Sequence, residues 1–135
     1  MDSLRLHRDY LEAEWESLRA APLSARKARL VAALIDAYVD RMFAASSDAD
    51  ILEFRGGMAA GSRGLGQIMA LCSDRATLVT EAVAVPIAEY GTLGIEDFMV
   101  SLYNDHSVQR LRLVTADGER FDMLDVLAEA IGALD

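Results

Sequence analysis

The sequence predicts an α+β fold: an N-terminal helical half of three to four helices, an antiparallel β-meander of three to four strands, and a C-terminal helix. Up to about residue 73, apolar residues recur every three or four positions, which is the period of an amphipathic helix. From about residue 76, Val- and Thr-rich segments and alternating apolar residues indicate strands. The helical period then returns near the C-terminus.

Two long helices are expected first. An apolar stripe starts at Leu4 and ends before Pro22, a residue that breaks a helix or occupies the first turn of the next one. Ser24 is the candidate N-cap of the second helix, which has a wide apolar face and is predicted to be the longest. Its basic residues lie near its start and its acidic residues late, so its charges oppose the helix dipole. Packing must therefore hold this helix.

Two shorter helices are expected to follow. Ser47 and Asp50 resemble a capping box that opens the third helix, and Ser62 is a candidate cap for the fourth. Cys72 belongs to the apolar stripe of the fourth helix, so we expect it to face inward. A glycine cluster lies here, comprising Gly56, Gly57, Gly61, Gly64 and Gly66. It lacks the Lys of a P-loop and the third Gly of a dinucleotide fingerprint, so it predicts a helix break or close helix packing.

Three segments fit strands. Residues 77–87 and 98–103 are each compatible with a strand or a short helix, whereas residues 110–115 alternate as a strand. Val79, Val83, Val85 and Ile87 fall on one face of the first segment. The turns that join these segments favour the strand interpretation.

The loop that follows residue 115 sets the register of the meander. Ala116, Asp117 and Gly118 suit a three-residue hairpin loop that is closed by glycine in the left-handed region. The three strands of residues 98–103, 110–115 and 119–123 then share one apolar face, which is consistent with a sheet packed on a core. The predicted pairs are Leu113–Phe121, Leu111–Met123 and Arg112–Asp122, with Phe98–Leu113 and Val100–Leu111 upstream across a turn at residues 104–107.

A last helix is expected to cover the meander. Asp122 or Asp125 is its N-cap, and its apolar stripe comprises Leu124, Leu127, Ile131 and Leu134. The whole chain, residues 1–135, is predicted to be a single domain. Neither the helical part (about 1–73) nor the meander with its helix (about 76–135) offers an obvious closed core of its own.

Composition and charge narrow the class of protein. The 135 residues have a formal net charge of −9, and only four basic residues stand against twelve acidic ones after residue 72. A nucleic-acid-binding protein needs a basic face, so we expect no nucleic acid and no anionic membrane surface as a partner. No apolar run reaches the ~18 residues of a membrane span, and no signal-peptide core is found. We expect a cytoplasmic protein, and twelve Arg with 22 Ala suggest a bacterial origin.

No cofactor and no metal are expected. His7 and His106 are far apart in sequence, the chain has one cysteine, and no spacing of carboxylates matches a ligand set. A thiol on an apolar helix face has a raised pKa, which makes Cys72 a poor nucleophile. We therefore assign no catalytic residue, and whether the protein is an enzyme stays open, with the sequence favouring that it is not.

The polar face of the meander is the candidate ligand-binding site. Tyr103, Arg110 and Arg112 are expected to lie on this face, and His106 lies in the turn beside it. Arginines bind carboxylates in bidentate geometry, and a histidine can act as a general base. A solvated face with paired charges, and ordinary turn chemistry at His106, explain the same residues. The remaining members of this face are Ser101, Arg120 and Asp122.

We expect a non-enzymatic protein that works through association, most simply as a homodimer, or with another protein as its partner. An apolar fraction of 53% in a small chain and strand edges that need cover motivate this expectation. The alternative is a small-molecule (anion) binding domain or small enzyme, with a pocket near residues 104–107, Arg110 and Arg112. A subunit or assembly factor of a larger bacterial or phage-like machine is the third hypothesis.

Overall fold

The computed structural model describes residues 3–84 and 107–135. This part of the chain confirms the predicted α+β class, with most of the helices N-terminal and a three-stranded antiparallel sheet followed by a C-terminal helix. The elements are α1 (Ser3–Arg19), α2 (Ala25–Ala45), α3 (Ile51–Gly61), α4 (Arg63–Cys72), β1 (Ala76–Ala84), β2 (Ser107–Thr115), β3 (Arg120–Asp122) and α5 (Met123–Gly132).

Helices α1 and α2 pack against each other, and a short loop that contains Pro22 joins them. Ser24 caps α2 as predicted, because its Oγ accepts a hydrogen bond from the Lys27 N–H at 3.2 Å. Among the described helices α2 is the longest, with 21 residues. Its Val31, Ile35 and Val39 are fully buried, which supplies the packing that its unfavourable charge order requires.

Helix α3 begins at a cap different from the predicted one. Asp50 itself is the N-cap, and its Oδ1 accepts from the backbone N–H groups of Leu52 at 2.9 Å and Glu53 at 3.3 Å. The predicted capping box with Ser47 is therefore wrong. A carboxylate at the N-cap satisfies two free amides and also interacts favourably with the helix dipole, so no second capping partner is needed.

Helix α4 has the predicted cap, whereas the predicted orientation of Cys72 is wrong. The Oγ of Ser62 accepts from the Leu65 N–H at 3.2 Å. Cys72 is exposed, because the preceding Leu71 takes the buried position and the next residue lies about 100° further around the helix. Gly64 lies against α5, where a Cβ would come within 3.0 Å of the Val126 carbonyl oxygen. Close helix packing was the expected role of such a glycine.

The hairpin between β2 and β3 has the predicted loop and register. Gly118 adopts φ +88°, in the left-handed region that favours glycine. The Thr115 N–H donates to the Glu119 oxygen at 2.9 Å and closes the loop. Confirmed pairs are Leu113–Phe121 and Arg112–Asp122. The predicted strand pair Leu111–Met123 is wrong, because β3 ends at Asp122 and the fully buried Met123 begins α5.

The strand that neighbours β2 on its other edge is β1, and not the segment 98–103. Antiparallel pairing of β1 with β2 brings Leu78 opposite Leu113 and Thr80 opposite Leu111. Since β1 and β3 occupy the two edges of β2, the predicted pairs Phe98–Leu113 and Val100–Leu111 are wrong. Residues 98–103, and residues 104–106 of the turn predicted at 104–107, lie outside the described residues, whereas Ser107 is the first residue of β2.

The sheet presents one face to the helices and carries its charged residues on the other. Leu78, Leu113 and Phe121 lie on the core face, and the fully buried Leu113 is at its centre. By the alternation of the strand, Val79 and Val83 lie on the opposite face, together with the arginines of β2. The valine stripe predicted for this strand is therefore not its core face.

Helix α5 follows β3 directly and closes the core. Of the two predicted caps Asp122 is the one used, and it accepts from the Asp125 N–H at 3.2 Å. The buried stripe comprises Met123, Val126, Leu127, Ala130 and Leu134. Leu124 and Ile131, which the sequence placed in this stripe, are only partly buried, so the helix is rotated relative to the prediction.

Candidate functional site

Two of the four predicted site residues lie on β2. Arg110 and Arg112 are two residues apart and share the face opposite the core, and β3 brings Asp122 opposite Arg112. Tyr103 and His106 lie outside the described residues, so their place in a site stays a prediction. Arg110 and Arg112 nevertheless have different neighbours, and these neighbours indicate different roles for the two residues.

Arg112 belongs to an ion-pair network within the sheet. Its Nε lies 3.4 Å from Oε1 of Glu81 on β1, and the two side chains are only 23% and 28% exposed. The Nε of Arg120 donates to the other oxygen of Glu81 at 3.0 Å. Within the described residues the buried Nε of Arg112 has no hydrogen-bond partner, so its contact with Glu81 is an ion pair only. This geometry favours a structural role for Arg112.

Sequence reasoning missed Glu81. The predicted register paired β2 with residues 98–103, whereas the structure places Glu81 directly opposite Arg110. The sequence does contain a signal for this pairing. An acidic residue such as Glu81 in one strand and an arginine in the neighbouring strand form a favourable cross-strand pair of opposite charge. This charge match joins β2 to a strand more than twenty residues upstream.

Asp122 connects this charged face with α5. Partial burial raises the pKa of its carboxyl, while the hydrogen bond from the Asp125 N–H and the charges of Arg110 and Arg112 act in the opposite direction. The carboxylate also caps the helix. Asp122 is therefore a structural anion at the junction of the sheet and α5.

An open cavity of about 640 Å³ lies between the loop that joins α1 to α2 and the sheet. The loop contributes Arg19, Leu23 and Ser24, and β2 contributes Gln109, Arg110 and Leu111. Asp122 and Leu124 complete the side next to α5. Arg110 thus lines a cavity, and Arg112 does not belong to this lining.

Helix α3 has an inner face that packs on the molecule and an outer face that does not. On the inner face Phe54 contacts the ring of Phe43 at a centroid distance of 5.6 Å, and Arg55 forms ion pairs with Asp36 and Asp40 of α2. We define the α3 outer face as Leu52, Glu53, Gly56, Gly57, Ala60 and Gly61, all of them exposed.

The α3 outer face is apolar except for Glu53, and its Leu52 is 78% exposed. A groove of about 440 Å³ runs beside it, with Phe54, Gly57 and Met58 among its lining residues. Acidic residues line the same groove: Asp48, Asp50 and Glu53. An exposed leucine and an apolar groove with an acidic rim therefore lie on one helix.

The N-terminus of α4 does not form an anion site. The backbone N–H of Gly64 donates to Oε1 of Glu129 on α5 at 3.2 Å. The Ser62 hydroxyl accepts from the next amide, that of Leu65. Because side chains of the protein use these amides, a phosphate would have to displace a charged internal partner.

Cys72 lies beside Arg29 and Asp74 at a shallow surface depression. Desolvation raises the pKa of its thiol to about 11, and the charge of Asp36 acts in the same direction. The thiol is therefore protonated at neutral pH, and a protonated thiol is a weak nucleophile. The expectation that Cys72 is a poor nucleophile is consistent with this, although the residue is exposed.

The described residues contain no group of three or more His, Cys, Asp or Glu side chains that is arranged to hold a metal ion. His7, the histidine of α1, is buried and donates from Nε2 to the Leu34 carbonyl oxygen at 2.8 Å. Its ring also contacts Tyr38. No helix in the described part of the chain combines the length and the apolarity that a bilayer crossing requires.

Comparison with known proteins found no matching family model, no matching curated protein and no matching solved structure.

Proposed function

We propose that this protein works through association with a second copy of itself, and that the α3 outer face is the contact surface. The observation that supports this proposal is a set of glycines for which the described part of the monomer has no steric use. A Cβ at Gly56, Gly57 or Gly61 would meet no atom within 4 Å.

Glycine within an exposed helix destabilises it by about 0.5–1 kcal/mol relative to alanine. Gly56 and Gly57 lie inside α3, and their exposed side leaves room for a larger residue. Close approach of another helix is a physical use for such residues, because the absence of Cβ atoms lets two backbones come near each other. Gly56 lies one turn along α3 from Leu52, on the same side of the helix.

The α3 outer face is suited to contact a copy of itself. In a two-fold dimer the same residues meet reciprocally, so a surface that carries both a protruding group and a recess is self-complementary. Leu52 is the protruding group, and the side-chain-free surface at Gly56 and Gly57 is the recess. In an antiparallel arrangement, Leu52 of each copy packs over the glycines of the other.

Charge favours the antiparallel arrangement. Asp48, Asp50 and Glu53 all lie at the N-terminal end of α3 or just before it. A parallel pair would bring these acidic groups of the two copies together, which is unfavourable. An antiparallel pair instead places the acidic ends of the two copies on opposite sides of the contact.

The expected dimer is weak. A single helix of this length buries less area than the ~1,200 Å² of a stable interface, so we expect dissociation constants on the order of tens of micromolar. Both copies carry a net charge of −9, and their mutual repulsion is screened by salt. Self-association is therefore expected to strengthen as the salt concentration rises.

Sedimentation equilibrium from about 1 to about 300 μM, at low and high salt, tests the proposal. We expect a monomer–dimer equilibrium that Leu52→Ser abolishes, while Tyr10→Ser leaves it unchanged. Tyr10 is the matched control because it is 58% exposed on α1. A strict monomer over this range, or a dimer that both variants affect equally, would contradict the proposal.

A second variant separates the interface from monomer stability. Gly57→Ala is expected to raise the melting temperature of the monomer, since alanine is the better helix former and its Cβ has space. The same Cβ is expected to weaken the dimer by obstructing the approach of the other copy. A Gly57→Ala variant that gains stability and dimerises as before would place the contact elsewhere.

A further inference from the structure

We propose that the outer edge of β1, the edge that faces away from β2, binds an extended, uncharged segment of another protein as an additional strand of the sheet. β1 lies at one side of the three-stranded sheet and pairs with β2 along its inner edge. In the part of the chain that the structure describes, no strand pairs with the outer edge. This surface is distinct from the α3 outer face, and the inference does not depend on the oligomeric state.

The hydrogen bond that closes the β2–β3 hairpin shows which backbone groups of β1 point outward. The Thr115 N–H donates to the Glu119 oxygen, so the backbone groups of Thr115 are directed toward β3. This direction alternates along an antiparallel strand. The backbone groups of Arg112 are therefore directed toward β1, where Val79 lies opposite. Val79 and every second residue from it bond to β2.

The residues between these positions direct their N–H and C=O groups away from β2, and three of them are accessible. Thr80, Ala82 and Ala84 are exposed, although their side chains lie on the sheet face that packs on the helices. The helices therefore do not extend over this part of the edge. An extended peptide carries donors and acceptors at the same interval of about 7 Å, so it can pair with these groups in register.

β1 lacks the features by which edge strands commonly avoid pairing with other chains. Its register with β2 runs one to one through nine residue pairs, without a bulge, and its sequence contains no proline and no lysine. Glu81 is its one charged residue. The Glu81 carboxylate is already paired with Arg112 at 3.4 Å and with Arg120 at 3.0 Å. A charge that is balanced within its own sheet does not repel an incoming strand.

The side chains beside the edge determine which segment fits. An added strand places alternate side chains next to Thr80 and Ala82 on one face, and next to the valines of β1 on the other. Small and β-branched side chains match these neighbours. An acidic segment is repelled by a protein of net charge −9, and a basic segment finds the Glu81 carboxylate already paired with two guanidiniums. We therefore expect an uncharged segment rich in threonine and valine.

A strand-forming peptide tests the proposal on the full-length protein. The probe is a capped heptapeptide of alternating threonine and valine, with its valines N-methylated so that it pairs through one edge only. The control probe is methylated at every residue and has no edge that can pair. Amide hydrogen exchange measured by NMR is expected to slow at least about tenfold at Leu78, Thr80 and Ala82 with the first probe, and to stay unchanged with the control.

The exchange experiment has clear contrary outcomes. Absence of slowing with the first probe, or equal slowing with both probes, would overturn the proposal. Outward amides that are already protected in the free protein would show that the edge is covered. Protection that grows with protein concentration would identify a second copy as the occupant. Each of these results would also overturn the proposal, and none depends on a variant.

Thr80→Pro locates the site. Proline removes the central outward N–H of β1 and leaves the bonds to β2 in place, an arrangement that edge strands tolerate. We expect the probe to lose its effect on Leu78 and Ala82 in this variant. Thr80→Val is the matched control, because it keeps the N–H and a β-branched side chain. Equal probe responses of the two variants, with the fold of each verified by circular dichroism, would show that the edge is not the site.

Discussion

The backbone N–H of Gly64 donates to a carboxylate oxygen of Glu129 at 3.2 Å, which joins the first turn of α4 to the last turns of α5. The approach is close because Gly64 has no side chain. A Cβ at this position would lie 3.0 Å from the Ala130 nitrogen and 3.0 Å from the Val126 carbonyl oxygen. These are backbone atoms of a packed helix, so they cannot move aside independently.

Gly64→Ala is therefore expected to destabilise the protein by about 1–3 kcal/mol, the usual cost of overpacking. Urea denaturation monitored by circular dichroism measures the change. Gly132→Ala in α5 is the matched control, since a Cβ there meets no atom within 4 Å and is expected to be neutral or stabilising. A Gly64→Ala variant as stable as the control would show that α4 and α5 can separate at little cost.

Glu81→Gln tests the structural role assigned to Arg112. The substitution removes the ion-pair partner of the Arg112 guanidinium, which is 23% exposed, and leaves only the Asp122 carboxyl across β3 as a nearby countercharge among the described residues. We expect a loss of about 1–3 kcal/mol in the free energy of unfolding, because a largely buried charge without a partner is unfavourable. If Arg112 instead serves to bind a ligand, Glu81→Gln would leave stability nearly unchanged.

Arg120→Gln is the comparison for this prediction. Arg120 pairs with the same Glu81 carboxylate but is 51% exposed, so its loss is expected to cost less than about 1 kcal/mol. Equal losses for Glu81→Gln and Arg120→Gln would contradict the view that burial makes the Arg112 pair the stronger one. Urea denaturation monitored by circular dichroism measures the free energy of unfolding of both variants.

The predictions from sequence succeeded where local chemistry decides the structure. The caps at Ser24 and Ser62 and the left-handed Gly118 follow from residue types whose side chains or backbone suit one position only. Once the three-residue loop was chosen, the pair Leu113–Phe121 followed from alternation alone. Each of these features depends on residues that are within ten positions of one another.

The failures concern partners that are distant in sequence. β1 pairs with β2 across residues 85–106, and a tight turn at residues 104–107 was the simpler local solution. The network at Glu81 was missed for the same reason, because no local pattern reports which strand lies alongside β2. The exposure of Cys72 depends on how far α4 rotates against its neighbours, which is also a tertiary property.

Asp122→Asn is expected to change how stability depends on pH. Burial raises the pKa of Asp122 in the folded state, so its ionised form is less favourable there than in the unfolded chain. This destabilisation is absent at low pH, where the carboxyl is protonated in both states, and it develops as pH rises from the pKa of the unfolded chain to the raised pKa of the folded state. Asparagine keeps the cap and removes the charge.

The stability of the Asp122→Asn variant relative to the original protein is therefore expected to increase between about pH 3 and about pH 7. Urea midpoints at several pH values measure this difference. A difference that decreases with rising pH would mean that Arg110 and Arg112 outweigh burial, so that the folded state favours the carboxylate.

Cys72 is expected to react slowly with thiol reagents in spite of its exposure. Its pKa of about 11, raised from 9.0 chiefly by desolvation, leaves about a hundredfold less thiolate at pH 8 than an unperturbed cysteine has. A more basic thiolate is also more nucleophilic, so the rate with iodoacetamide is expected to be about tenfold lower than in urea-unfolded protein, and to rise about tenfold per pH unit up to pH ~10. Equal rates in the folded and unfolded protein would show that the thiol is hydrated as a free cysteine is.

The pH profile distinguishes a raised pKa from steric protection. Limited access of the reagent lowers the rate but does not change how the rate depends on pH. A reduced rate whose pH profile levels off near pH 9 would therefore indicate steric protection instead of a raised pKa.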